Sequence, residues 1–394
     1  MRRLFLFLFV LAVLVKAEAQ TSASAIGDSL YAVGNYSSAI KEYESINNKK
    51  ESIYIKLARA HQAKGALDDA LFNYEKAATG TDKAVAMTEY GKLLITKGKY
   101  EKADSIFTAL IDVYTANPNF YYQRGRAREN KPLEVDTLTL ESLDSLKIYI
   151  KDYERAVELD STHQKALYET ALFYLKKKDY PVVEKLCKKA LESYDTNVEI
   201  ISLLAQNYFY RGFHDDAIIW FKKLIDLGKS SKFIHDKLGY CYYQERSYEL
   251  AIEQYLLSLN YDPEDYYTHH NLAKLYNFLE DFKNAEKHGK MAIYLKDMSM
   301  EDEYYTLGNT YKIHKDWKQS MDYLNKALEE DSDYKKALYA RAVVADNYYK
   351  DKEAVIRLYE DFIEKYDNSY DPLANLAKSR VKMLKQEVFM QQDN

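Results

Sequence analysis

The sequence is poor in residues that interrupt helices and in residues that cross-link a chain. Its 394 residues include 5 prolines, 12 glycines and 2 cysteines, while 30% are charged and 47% are apolar. So few prolines and glycines argue against a β-rich or loop-rich protein and favour an all-α fold. The two cysteines, Cys187 and Cys241, give no basis for a disulfide framework.

An excess of positive charge is also missing. The net charge is −5, so no overall attraction draws the chain to nucleic acid and we expect no such partner. Long apolar runs are absent too, apart from one at the start of the chain.

That apolar run, residues 4–15, follows two arginines and precedes the small residues Ala17 and Ala19. This order predicts a cleaved signal peptide over residues 1–19 and an exported protein, periplasmic or secreted. An uncleaved anchor is the alternative, but the run is shorter than the ~20 residues that a spanning helix needs. No cysteine follows the run, so we expect neither a lipid anchor nor a membrane span after cleavage.

The rest of the chain contains an internal repeat. Four segments each begin with glycine, carry alanine five residues later and an aromatic residue four after that: GNYSSAIKEYESI (34–46), GALDDALFNYEKA (65–77), GKYEKADSIFTAL (98–110) and GFHDDAIIWFKKL (212–224). Extended upstream, the alignment places repeat starts near residues 20, 51, 84, 118, 164, 198, 232, 266, 301 and 335. The usual step, about 34 residues, accommodates two amphipathic helices.

The eighth position of the repeat is always small. It is occupied by Gly27, Ala58, Gly91, Gly125, Ala171, Ala205, Gly239, Ala273, Gly308 and Ala342. Two antiparallel helices that approach to roughly 8–10 Å need a small side chain where they cross. With alanine at position 20 and a large residue at position 24, this pattern resembles the tetratricopeptide repeat (TPR) family over nearly the whole chain after residue 19.

The resemblance implies an all-α, right-handed superhelix of about ten helix-turn-helix repeats over residues 20–370. Residues 371–394 are interpreted as a capping helix and tail. Repeat 4 departs from the pattern, because Arg124 and Arg128 occupy usual core positions and an insertion fills residues 129–148. We expect the weakest seam of the array there. The insertion is either a lengthened second helix with a longer turn or a functional loop.

The tyrosines of the first helices divide into two sets. Position 11, with Tyr208, Tyr242, Tyr276 and Tyr311, follows the helical core spacing, and Tyr255 at position 24 is also expected in the core. Positions 2, 5, 9 and 12 form a second stripe, which in the TPR family lines the concave groove. In repeats 6 to 10 the candidate groove residues are Phe209, Phe233, Tyr240, Tyr243, Tyr267, His270, Lys274, Tyr305, Asn309 and Tyr339. Alternatively, these rings only pack against one another between adjacent helices.

The N-terminal half has cations in that stripe instead. Position 9 runs Arg59, Lys92 and Arg126, with Tyr122 one turn before Arg126. Such a row could hold the acidic side chains or terminal carboxylate of an extended peptide, or it could be an ordinary solvated face. The family's chaperone-binding members use a carboxylate clamp that position 5 does not reproduce here, so chaperone-tail recognition is not implied.

Catalytic chemistry has no visible basis in the sequence. Nine glycines fall at positions 8 and 15 of the repeats, and the remaining three, Gly80, Gly228 and Gly289, make no phosphate-binding loop. The adjacent His269 and His270 are expected on different faces, inward and toward the groove, and no histidine pair has zinc-site spacing. We therefore expect no enzyme, no metal and no cofactor.

The sequence thus predicts a non-enzymatic scaffold or adaptor of the cell envelope that binds a protein or peptide in its groove. A glycan-binding module is one alternative, because exposed aromatic rings also stack on sugars; Asn277 and Asn309 would then be polar partners. An accessory subunit of an envelope enzyme or secretion complex is the other. The tyrosine-rich exported sequence also resembles Bacteroidota-like TPR proteins.

Overall fold

We analysed a computed structural model, which describes residues 23–80, 83–131, 148–296, 299–367 and 370–392. These residues form helices joined by short turns, and none of them lies in a strand. The helices are α1 (described over 23–32), α2 (Tyr36–Ser45), α3 (Glu51–Lys64), α4 (Leu67–Ala77), α5 (Lys83–Thr96), α6 (Tyr100–Val113), α7 (Pro118–Glu129), α8 (Ile148–Leu159), α9 (Gln164–Lys176), α10 (Tyr180–Ser193), α11 (Val198–Tyr210), α12 (His214–Asp226), α13 (Lys232–Gln244), α14 (Tyr248–Leu259), α15 (Tyr266–Phe278), α16 (Phe282–Leu295), α17 (Glu301–Ile313), α18 (Trp317–Glu330), α19 (Lys335–Tyr348), α20 (Lys352–Tyr366) and α21 (Pro372–Gln392). The predicted all-α class is confirmed.

The predicted signal peptide, residues 1–19, lies outside the described residues, as does most of the insertion at 129–148. Within the described ranges, no helix is both long enough and apolar enough to cross a membrane.

The helices alternate between a first and a second helix of each repeat. A tight turn joins the two, and in most of the described turns its residue at repeat position 15 adopts a left-handed conformation, as at Gly65 (φ 87°) and Lys178 (φ 61°). Tyr349 of repeat 10 is an exception with φ −86°. Glycine adopts this left-handed conformation without strain because it has no Cβ atom, whereas lysine adopts it at a cost of roughly 1 kcal/mol. Side chains such as Asp281 then cap the second helix at its start. The Asp281 carboxylate accepts a hydrogen bond from the Asn284 backbone amide at 3.1 Å.

The crossing of each helix pair explains the small residue at position 8. A Cβ atom added to Gly125 would lie 2.7 Å from the Tyr153 ring, and one added to Gly91 would lie 2.7 Å from the Phe107 ring. Tyr153 and Phe107 are fully buried at position 24. The large residue of the second helix therefore fills the space that a side chain on the first helix would need.

The chain divides into two compact units, one ending at Leu203 and the other beginning at Leu204. We call them unit 1 and unit 2. In each unit a helix packs against the next along the chain, and first helices of neighbouring repeats also touch, as α5 does α7 and α15 does α17. First helices thus lie side by side and present a shared face.

Repeat 4 uses an ionic network where other repeats use apolar side chains. Arg124 makes two-pronged contact with the buried carboxylate of Asp152 in α8, its Nη2 lying 2.7 Å from Oδ1. Arg128 lies 2.9 Å from the same carboxylate and 3.0 Å from Asp104 in α6. Through the two arginines, the carboxylates of Asp152 and Asp104 join three helices in repeat 4. The weak seam, predicted from the arginines and the insertion, stays a prediction.

Candidate functional site

The faces of the first helices carry a cleft in each unit. In unit 1, α5, α7 and α9 enclose a cleft of about 750 Å³, which we call the cationic cleft. Its lining residues are Ala84, Val85, Thr88, Glu89, Lys92, Thr96, Asn117, Asn119, Phe120, Tyr122, Gln123, Arg126 and Lys165. Three of the four residues predicted for the N-terminal half of the groove, Lys92, Tyr122 and Arg126, meet here. The fourth, Arg59, is exposed on α3 outside this cleft.

Positive charge predominates in the cationic cleft. Lys92 pairs with Glu89 at 3.0 Å. Arg126 donates a hydrogen bond to Gln123 Oε1 at 3.2 Å, and Lys165 is exposed with no ion pair among the described residues. The lining thus holds three cations against one carboxylate, and two of the cations can accept an anionic partner.

Tyr122 forms the floor of the cleft rather than an exposed contact. Its ring is buried, 5.8 Å from the Tyr153 ring and 5.2 Å from the His163 imidazole, and burial raises the pKa of Tyr122. The Arg126 guanidinium stands 6.0 Å from the ring centroid. The Tyr122 ring therefore lies beneath Arg126, held by the two neighbouring rings, and its role as a groove contact stays a prediction.

His163 organises the rim of the same cleft. Its Nδ1 accepts a hydrogen bond from the Ala166 amide at 3.1 Å, so Nε2 donates to Asn119 Oδ1 at 3.2 Å. Burial lowers the pKa of His163, which keeps the imidazole neutral in this role. No described residue accepts from the Asn119 amide nitrogen, which remains a donor for a ligand.

The predicted aromatic row of unit 2 is only partly available. Tyr243 packs on Phe278 with ring centroids 6.1 Å apart, Tyr305 on Tyr334 at 5.4 Å and Tyr339 on Phe362 at 5.5 Å. These three rings are partly buried between helices. Their contacts fit the alternative interpretation of packing between neighbouring helices, and their role in the groove stays a prediction.

The rest of the row stays accessible. Phe233 is 40% exposed, Tyr240 41% and Tyr267 64%. Together with Phe209, the rings of Tyr240 and Tyr267 line a cleft of about 340 Å³, which we call the aromatic cleft. Its lining residues are Phe209, Lys232, Asp236, Lys237, Tyr240, Tyr255, Asp265, Tyr267, Thr268 and Asn271.

The remaining candidates in unit 2 lie in neither cleft. His270 does not present its imidazole to a groove: the side chain is largely buried 3.5 Å from Glu303, and burial lowers its pKa to about 4. Glu303 is instead paired with Lys296 at 2.7 Å. Lys274 and Asn309 are partly buried on the same helices.

The inward orientation predicted for His269 agrees with the structure. His269 is buried, and its Nδ1 lies 2.8 Å from Nδ1 of His288 while Nε2 lies 3.0 Å from the Pro263 carbonyl oxygen. Among the described residues, no group of three or more His, Cys, Asp or Glu side chains could hold a metal ion. Cys187 and Cys241 are both buried free thiols.

Sequence reasoning missed Lys165, Lys237 and Asn271. Lys165 is at position 2 of repeat 5, inside the stripe, but only position 9 was searched for cations. Lys237 and Asn271 both occupy position 6, which lies beside the stripe. A search for charged or amide side chains one residue after position 5 would have found both.

Comparison with known proteins agrees with this architecture. A family model described as tetratricopeptide repeat matches residues 234–265, which comprise most of α13, all of α14 and the turn that follows α14. The chain is similar to the TPR repeat-containing protein MJ1428 of Methanocaldococcus jannaschii, with 28% identity over 134 residues. That match covers 32% of this chain and 24% of the relative, so the chain spans about a quarter of the curated relative's length.

The chain is also similar to several solved structures. The C-terminal part of a TPR repeat-containing protein from Cytophaga hutchinsonii is 18% identical, covers 64% of this chain and 98% of its own, and gives a TM-score of 0.48. YrrB, a TPR protein with an unusual peptide-binding site, is 16% identical with coverages of 48% and 97% and a TM-score of 0.45. Yeast Tom70 is 15% identical with coverages of 96% and 98% and a TM-score of 0.41.

The matched repeat is one of a series. Helix pairs on both sides of α13 and α14 have the same small residue at the crossing and the same left-handed turn. This type of fold suggests a protein–protein interaction scaffold. Residues 234–265 therefore match the tetratricopeptide-repeat family model, and the helix pairs on both sides of them repeat the same pattern at the crossing and the turn.

Proposed function

We propose that the protein is a non-enzymatic interaction scaffold that binds an extended, acidic segment of a partner protein in the cationic cleft. One observation carries this proposal: Lys92, Arg126 and Lys165, from three successive first helices, line a single cleft of about 750 Å³. Lys92 and Arg126 belong to the same repeat position, so the array itself generates the row.

The chemistry of the cleft suits a polypeptide with carboxylates. An extended segment offers anionic groups at regular intervals along its length, and neighbouring first helices offer cations at regular intervals across the cleft. Hydrogen bonds between ionised partners are shorter and stronger than neutral ones. Gln123 and the amide nitrogen of Asn119 add neutral groups that could bond to a peptide backbone.

We infer that the scaffold works in the cell envelope, periplasmic or secreted, as part of an adaptor or as an accessory subunit of a larger complex. The basic and apolar start of the sequence supports export. The partner is defined by its chemistry alone: it is a protein that carries an acidic segment.

Binding of a defined acidic peptide tests the proposal. The probe is a fluorescein-labelled decapeptide of alternating glutamate and glycine, titrated with the protein lacking residues 1–19 at low salt and followed by fluorescence anisotropy. We expect the Lys92→Ala/Arg126→Ala double variant to bind at least about tenfold more weakly, a loss of roughly 1.4 kcal/mol. Raising the salt concentration should weaken wild-type binding because partly exposed charges are screened.

The matched control removes the same charge elsewhere. Lys185 in α10 and Lys222 in α12 are exposed on second helices, so the Lys185→Ala/Lys222→Ala variant should bind like wild type. Circular dichroism checks that both variants are folded. Equal affinity of the two double variants, or no wild-type binding of the acidic probe, would refute the acidic-segment proposal.

A further inference from the structure

The aromatic cleft of unit 2 differs chemically from the cationic cleft. Its volume of about 340 Å³ is at the lower end of the ~300–1,000 Å³ typical of small-molecule sites. Its charged lining residues are two lysines, Lys232 and Lys237, and two aspartates, Asp236 and Asp265. The formal charges balance, so the site has no bias toward an anionic or cationic ligand.

Part of the lining is a fixed polar network. Lys232 Nζ lies 2.8 Å from Asp236 and 2.9 Å from Asp265, and thereby links α13 to the start of α15. Thr268 donates its amide to Asp265 at 3.2 Å and its hydroxyl to the same carboxylate. These contacts hold the polar groups in place before any ligand arrives, which lowers the entropy cost of binding.

Two further polar side chains at the cleft have no ion-pair or hydrogen-bond partner among the described residues. The Lys237 ammonium stands 4.3 Å from the centroid of the Phe209 ring and 5.5 Å from that of Phe233, and no described carboxylate pairs with it. Asn271 has no hydrogen-bond partner among the described residues. An ammonium donor and a bifunctional amide are therefore available at the cleft.

The tyrosines supply the apolar part. Tyr240 is 41% exposed and Tyr267 64%, and they reach the cleft from two different first helices. The Tyr267 ring is also backed by Tyr266, with the centroids 4.0 Å apart. Rings supported in this way lose little conformational freedom when a ligand stacks on them.

We propose that the aromatic cleft binds a neutral saccharide. A pyranose has a C–H face that packs on an aromatic ring and a rim of hydroxyls that both donate and accept. In this cleft Tyr240 or Tyr267 meets the C–H face. Lys237 and Asn271 donate to the hydroxyls, and the carboxylates of Asp236 and Asp265 accept from them.

A hydrophobic side chain of a peptide fits the same cleft less well. It would cover the carboxylates and Lys232 without replacing their water contacts, and buried polar groups left unpaired are costly. A carboxylate ligand would pair with Lys237 but would also face two aspartates. This inference goes beyond the scaffold proposal, since it concerns a different cleft, unit and ligand class.

Direct binding of neutral oligosaccharides tests the inference. Arrays of glucose-, galactose-, mannose-, xylose- and N-acetylglucosamine-based oligosaccharides are screened with the full protein, and hits are titrated by saturation-transfer NMR up to about 10 mM. We expect at least one neutral oligosaccharide to bind. Tyr240→Ala/Tyr267→Ala and Asn271→Ala should each weaken that binding at least tenfold, whereas Tyr267→Phe should retain it because the stacking face remains.

Tyr294→Ala is the matched control, because Tyr294 in α16 is 83% exposed and outside the cleft. The inference is overturned if no neutral oligosaccharide binds, if binding is the same in the cleft variants and the control, or if a hydrophobic peptide binds at these residues instead. The acidic-peptide titration on the same preparations reports the cationic cleft separately, so failure of one proposal is distinguishable from failure of the other.

Discussion

A single methyl group decides how closely the helices of a repeat can approach. Alanine at position 8 is fully buried in several repeats, as at Ala58 and Ala171. At Gly91, however, an added Cβ would lie 2.7 Å from two atoms of the Phe107 ring. The same position therefore tolerates alanine in some repeats and requires glycine in others. The difference depends on how the large residue at position 24 packs against it.

We expect Gly91→Ala to destabilise unit 1 by about 1–3 kcal/mol, the usual cost of overpacking a core. A loss of stability would be informative, because alanine is the better helix former by about 1 kcal/mol in an exposed helix. Helix propensity alone therefore predicts that the substitution stabilises the protein. Chemical denaturation followed by circular dichroism measures the change.

Ser105→Ala on the neighbouring helix α6 is the control, since Ser105 is exposed and loses only a hydroxyl that donates to the Glu101 carbonyl in the same helix. It should be neutral or slightly stabilising. A Gly91→Ala protein as stable as wild type would mean that Phe107 can move aside.

The tyrosines show where residue-level prediction stops. The repeat register placed five tyrosines in the core. The structure buries Tyr208, Tyr255 and Tyr311, whereas Tyr242 and Tyr276 are partly buried. The register also placed Tyr240 and Tyr243 on one face, yet Tyr243 is held between Tyr248 and Phe278 while Tyr240 remains 41% exposed. Whether a ring is covered depends on the side chains that neighbouring helices place against it. The position of the tyrosine in its own repeat does not specify those side chains.

At the scale of elements, repeat 4 combines apolar packing between α7 and α8 with charge pairing. The buried Asp152 carboxylate lies between Arg124 at 2.7 Å and Arg128 at 2.9 Å. Two cations inserted into a helix interface are tolerated because one carboxylate compensates both, and Asp104 takes the second contact of Arg128. Removing the shared carboxylate leaves the positive charges of Arg124 and Arg128 uncompensated in a mostly buried helix interface.

Asp152→Asn should therefore destabilise unit 1 by about 2–4 kcal/mol, somewhat below the range for breaking fully buried ion pairs because the arginines are partly exposed. Urea denaturation of the variant and the wild type measures this difference.

The comparison is Arg155→Ala on the same helix. Arg155 pairs with Glu158 at 2.8 Å, but both side chains are well exposed, so its loss should destabilise the protein far less than Asp152→Asn does. Similar values for the two variants would show that the network contributes nothing beyond a surface ion pair.

At the scale of the whole chain, each unit is built from repeats that bury their apolar faces only against neighbours. In unit 2 the last of these neighbours is α21, whose Ala374, Ala377, Val381 and Leu384 are buried in the same cluster as Val355 and Phe362 of α20. A stack of this kind exposes a core face wherever a terminal helix is missing.

Deleting residues 371–394 should expose that cluster. We expect a lower melting temperature and self-association, because large exposed apolar patches promote aggregation. Differential scanning calorimetry and light scattering measure the two effects.

Phe389→Ser/Met390→Ser is the matched variant, because these α21 residues are 66% and 59% exposed. It should leave stability and the oligomeric state of the wild type unchanged. A truncated protein with the oligomeric state and melting temperature of the wild type would contradict the capping role.

The sequence by itself determined the all-α class and the register of the helix pairs. It did so because helix crossing and tight turns impose local requirements: a small residue at position 8 and a left-handed residue at position 15. It also placed Lys92 and Arg126 in one row. The pairing of Asp152 with two arginines, the burial of Tyr122 and His270, and the meeting of Lys237 with Asn271 were decided only by the tertiary structure. Those contacts join side chains on different helices, and their distances depend on how each pair packs on the next.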